Sequence, residues 1–151
     1  MARQGIPLCS EGAGPTERHV IGRFRPDAGK IGKARRLIRS SLVSWGLDDQ
    51  VSAIELAVSE LVTNAMVHGV GHVEVQLTAY GTNVRLEVLD QGRDVAIPAP
   101  RPVTSGVPGG WGLHLVEEVS DSWGAVTGPT QTRVWMERDA ASRRGDPDYD
   151  T

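Results

Sequence analysis

The apolar positions fall first into a period of two, then into a helical period, then into two again. His19–Arg25 (HVIGRFR) sets Val20, Gly22 and Phe24 against Ile21, Arg23 and Arg25. That alternation predicts an edge strand ending at Pro26. Asp27 follows as a natural N-cap. Ala28, Ile31, Ala34, Leu37, Ile38, Leu42 and Trp45 then share one helical face, with Lys30, Lys33, Arg35, Arg36 and Arg39 mostly opposite. Gly46 is a suitable left-handed stop. A second helix, capped by Asp48 or Asp49, carries Val51, Ile54, Leu56, Ala57, Val58, Leu61, Val62, Ala65 and Met66 and stops at Gly69.

Alternation returns in His72–Tyr80 (HVEVQLTAY) and Val84–Asp90 (VRLEVLD), separated by the turn signal Gly81-Thr82-Asn83. The two segments predict a hairpin. Residues 91–111 are rich in glycine and contain Pro98, Pro100, Pro102 and Pro108. A connection of that length is usually functional or disordered. A helical pattern resumes over Gly112–Val119. Trp123–Thr127 and Thr132–Glu137 (TRVWME) then predict a second hairpin around Gly128-Pro129. Helices on one face of a mostly antiparallel sheet make an α+β fold, a two-layer α/β sandwich. Residues 1–17 read as a flexible leader, 18–138 as the folded domain and 139–151 as a disordered tail.

Composition narrows the function. The chain has 151 residues, a hydrophobic fraction of 39%, a charged fraction of 23% and a formal net charge of -3. Such a chain is long enough for one self-sufficient core. Near-balanced charge argues against direct nucleic-acid binding. The basic face of the first helix reads as solvated, with an acidic protein partner as the other option. Cys9 is the only cysteine, so neither an internal disulfide nor a cysteine-based metal cluster is expected. No apolar run approaches a membrane span and no secretion signal is visible, so a cytoplasmic protein without membrane contact is expected.

Candidate chemistry sits in three places. Glu60, Asn64 and His68 recur every four residues and line one stripe of the second helix, close to its buried face. Polar groups placed there need partners. Asp90 ends an alternating strand on the face it shares with Val84, Leu86 and Val88. It could simply cap a turn, or it could accept from the exocyclic amine of a base. Gly109-Gly110-Trp111-Gly112-Leu113 opens a helix, where bare amides and the helix dipole favour an anion. No Gly-Lys-Ser/Thr follows, so this is not a P-loop. No strand runs straight into it, so it is not a dinucleotide fingerprint.

Taken in order, Glu60-x-x-x-Asn64-Ala65, Asp90-x-Gly92 and Gly110-x-Gly112-Leu113 resemble the GHKL superfamily, whose members bind ATP in a Bergerat (histidine-kinase-like) fold. The likeness covers about residues 18–138. It is closest to the small bacterial branch of anti-sigma-factor serine/threonine kinases. The resemblance implies that Asn64 holds Mg²⁺ against the phosphates and that Glu60 is the general base. It also implies that Asp90 accepts from the adenine amino group while Gly92 lets the purine lie against the backbone. Gly110, Gly112 and Leu113 would meet the phosphates, and Thr132 would close the adenine end. His68 receives no role. One departure is Asp94, which stands where many relatives have a second glycine.

The implied partners are a sigma factor, which the protein would sequester, and an anti-anti-sigma antagonist, which it would phosphorylate. A homodimer is also in keeping with the branch. The alternative is a non-catalytic ATP-binding interaction module of the same fold. The length leaves no room for a whole two-component histidine kinase, a mismatch-repair ATPase or a chaperone-type ATPase. A zinc site at His68 and His72 is disfavoured, because Gly69 and Gly71 break the helix that would align them.

Overall fold

The computed structural model describes residues 16–25, 27, 29–68, 71–91 and 110–143. Five strands form one antiparallel sheet in the order β1-β2-β3-β5-β4: β1 (Glu17–Phe24), β2 (Val73–Tyr80), β3 (Asn83–Asp90), β4 (Ser122–Thr127) and β5 (Thr132–Asp139). Helices α1 (Gly29–Ser44), α2 (Val51–His68) and α3 (Gly110–Val119) pack beside one another against it. The expected α+β sandwich is the observed architecture.

Local chemistry sets the element boundaries. Asp27 caps α1, its Oδ1 accepting from the Gly29 amide at 2.8 Å. Gly46 ends the helical path with a φ of 75°, a conformation that costs glycine little. Asp48 and Asp49 open a short 3₁₀ turn through Gln50 rather than capping α2 directly, and α2 starts at Val51.

The core follows the alternation. Val73, Val75, Leu77 and Ala79 of β2 and Val84, Leu86 and Val88 of β3 are all 2% exposed or less. They face Ala34, Ile38 and Leu42 of α1 and Ile54, Val58, Leu61 and Val62 of α2 within one cluster. α2 is apolar on most of its circumference because it lies between α1, α3 and the sheet. Deleting a side chain here, as in Leu77→Ala, costs about 2–5 kcal/mol.

The outer sheet face carries ionic ladders. Arg85 donates to Glu87 at 2.5 Å and Glu137 at 2.6 Å, and lies over the Trp135 ring at 4.5 Å. Arg23 donates to Glu74 at 2.8 Å. Regular structure continues through residues 139–143, inside the segment 139–151 expected as a tail. β5 reaches Asp139, the short helix α4 spans Ala140–Arg143, and the Ala140 amide donates to the Thr82 carbonyl.

Candidate functional site

The inner face of the sheet changes character in its last row at one end. Along β3 the inward positions run Val84, Leu86, Val88 and then Asp90. Along β5 they run Met136, Val134 and then Thr132. Asp90 pairs directly with Thr132, and Thr132 pairs with Thr127 of β4. Three polar side chains therefore lie across three neighbouring strands where an apolar face would otherwise continue. Asp90 is 8% exposed and Thr132 5%. Among the described residues, the Thr127 hydroxyl is a buried polar atom with no hydrogen-bond partner. Such an atom usually answers to a water or a ligand.

A cleft of about 850 Å³ opens at this end of the sheet, and Asp90 is in its wall. Phe24 and Leu89 supply apolar surface, and Thr130 and Gln131 of the β4–β5 turn form one side. The lining also includes Arg23, Arg25, Lys30 and Lys33, with His72, Glu74 and Gln91. Arg23 is engaged with Glu74. Lys30 beside Lys33 pushes the Lys33 ammonium below its ordinary pKa, as like charges brought together do. The cleft thus combines a buried carboxylate with a cationic rim and suits a ligand that has both a donor edge and anionic groups.

The other expected residues distribute as follows. Glu60 and Asn64 are half-buried, one turn apart on α2, and do not line this cleft. Gly110 is the first residue of α3 and Gly112 lies in its first turn, so both glycines are helical rather than preceding the helix. Amides of a first turn have no intrahelical partner. Leu113 is buried in the core cluster, and α3 packs against α2. Gly92 and Asp94 lie outside the described residues, as does the side chain of His68. Among the described residues, no three His, Cys, Asp or Glu side chains group to hold a metal ion.

Two buried charged groups escaped the sequence reading. Glu55 of α2 is 6% exposed and accepts two hydrogen bonds from Arg39 of α1, at 2.8 and 3.0 Å. Arg35 lies 3.5 Å away. The Arg39 bonds hold the Glu55 carboxyl below the usual range, against the opposing pull of burial. So part of the basic face of α1 is not simply solvated: it clamps α1 to α2. Arg138, 1% exposed, occupies the inward position of β5 beyond Met136. The alternation of Thr132, Val134 and Met136 continues to that position, one residue past the strand end expected at Glu137.

The family model described as Histidine kinase-like ATPase domain matches residues 24–138. No curated protein matches the chain. The crystal structure of the RsbU and RsbW domains of Rv1364c from Mycobacterium tuberculosis superposes with a TM-score of 0.61 at 21% identity, over 80% of this chain and 32% of that one. The chain therefore spans about a third of that protein's length. The histidine kinase domain of a blue-light activated histidine kinase from Erythrobacter litoralis superposes with a TM-score of 0.48 at 19% identity, over 77% of this chain and 62% of that one.

Proposed function

The chain belongs to the histidine kinase-like ATPase domain family, and on that premise we propose that it is an ATP-dependent serine protein kinase that sequesters a sigma factor and phosphorylates an anti-anti-sigma antagonist protein. ATP binding follows from the family. The kinase step and the partners are our reading, drawn from the motif resemblance to small anti-sigma-factor kinases.

One observation carries the nucleotide reading: Asp90, buried and paired with the buried Thr132, itself lies in the wall of a cleft large enough for a nucleotide. Asp90 accepts from the adenine amino group, a charge-assisted bond worth about 1.5–3 kcal/mol. Thr132 closes the same edge. The first-turn amides of α3 from Gly110 to Leu113 face anionic phosphate favourably, because the helix dipole is positive there.

Asn64 offers one neutral oxygen, which fits Mg²⁺, an ion that keeps most of its waters and shares phosphate oxygens. Bound Mg-ATP supplies a γ-phosphoryl group with its charge partly neutralised. Glu60, one turn from Asn64, takes the proton of the attacking serine hydroxyl. The helical spacing that leaves Glu60 one turn from Asn64 supports that assignment.

The test is incubation with Mg-ATP and candidate antagonist proteins, read as phosphoserine. Glu60→Ala should retain ATP binding and lose about 10²–10⁴ in transfer rate. Transfer that survives the substitution removes Glu60 as the base. Wild-type protein that binds ATP but transfers to no antagonist favours the non-catalytic module.

A further inference from the structure

The end of the molecule away from Asp90 carries a connection that the proposed chemistry does not use. Arg138 leaves β5 toward the helices and is 1% exposed. Its Nε donates to Oε1 of Gln50 at 2.8 Å, and its Nη1 donates to the backbone carbonyl of Val119. Gln50 is 2% exposed and immediately precedes α2. Val119 is the last residue of α3. One planar guanidinium therefore joins the start of α2 to the end of α3, a geometry that its fixed fork of donors suits.

The choice of residue is informative. α3 has no basic residue in its last turn. Its terminal carbonyl instead meets a cation carried by the sheet, which satisfies an orphan acceptor and complements the dipole. The other inward positions of β5 that reach the core, Val134 and Met136, are apolar. An apolar residue at 138 would spare the cost of burying a charge. What it could not do is hold two helix ends in one fixed relation.

α2 and α3 are joined at Gln50 and Val119, so their other ends, Asn64 to His68 and Gly110 to Leu113, are the ends not tied by this group. Arg138 is six residues along β5 from Thr132, about 20 Å away. We propose that Arg138 is a positioning residue: it pins α2 to α3 at the end remote from the nucleotide and so fixes the relation between the two helices that carry Asn64 and Gly110. This rests on the nucleotide reading above. A ligand that meets both helices gains affinity from the pin, because the angle between the helices is already set.

The experiment uses the full chain. Mg-ATP affinity is measured by calorimetry for wild type, Arg138→Lys, Arg138→Met and Gln50→Leu, at a temperature where each is folded. Ile38→Val in α1 serves as a control for core destabilisation alone. The expected result is a loss of about tenfold in affinity for Arg138→Met and Gln50→Leu, within the range of such remote couplings. Arg138→Lys should fall between wild type and Arg138→Met, and Ile38→Val should leave affinity unchanged despite a lower Tm. If Arg138→Met does not fold, Gln50→Leu decides, since it leaves the bond to Val119 in place. Affinities within twofold of wild type in Arg138→Lys and Gln50→Leu, with only Tm lowered, overturn the pin while leaving the nucleotide reading intact. A wild-type chain that binds no Mg-ATP overturns both.

Discussion

Asp90 and Thr132 are directly paired across β3 and β5, and both are buried where the inner sheet face ends. Thr132→Val keeps the shape and removes the hydroxyl. ATP affinity should fall about tenfold, the equivalent of one hydrogen bond to a charged or polar edge. Calorimetry checks the affinity and thermal unfolding checks the fold. An unchanged affinity would remove Thr132 from the site.

Thr127, the next residue in that row, behaves differently in the unliganded protein. Its buried hydroxyl has no partner among the described residues, so Thr127→Val should be neutral or stabilising by about 1 kcal/mol, where a satisfied hydroxyl would make the same change costly. Urea denaturation of the unliganded chain reads this directly. A loss of stability greater than about 1 kcal/mol would mean that the hydroxyl is satisfied in solution.

The α1–α2 clamp makes stability depend on pH. The Glu55 carboxyl is held low by the Arg39 hydrogen bonds, with burial opposing. A depressed carboxylate contributes stability above its unfolded pKa of about 4.3, and loses it as pH falls through the lower folded value. Wild type should therefore lose more stability than Glu55→Gln as pH drops from about 5 into the acid range, and the two profiles should run parallel above it. Parallel profiles throughout would show that the clamp does not form in solution.

On the outer face, a Cβ at Gly124 would sit 2.8 Å from Cζ2 and 2.9 Å from Cε2 of Trp135. The ring is rigid and already stacked under Arg85. Gly124→Ala should cost about 1–3 kcal/mol through overpacking and shift the tryptophan fluorescence. An unshifted spectrum with wild-type stability would contradict the placement of the ring over β4.

How far these features were legible in the sequence depends on the range of the interactions. Alternation in His72–Tyr80 and Val84–Asp90 located the hairpin and put Asp90 on the inner face, because period and face are local properties. The pairing of Asp90 with Thr132 joins segments 42 positions apart, and only the strand order β3-β5 brings them together. Arg138 lay one residue past the strand end expected at Glu137 and was unreadable as a buried cation, since its partners Gln50 and Val119 lie 88 and 19 residues away. Glu55 was hidden for the same reason: what makes a carboxylate tolerable inside α2 is a pair of arginines on α1. The glycines at 110 and 112 were expected at a helix start, and the helix takes them into its first turn.

Calorimetric titration of Mg-ATP into wild type and Asp90→Ala tests the central claim most directly. Binding to wild type and a loss of more than about tenfold on substitution are expected, as removal of a charge-assisted acceptor requires. No heat of binding to wild type at millimolar nucleotide, or an affinity indifferent to Asp90→Ala, would contradict it.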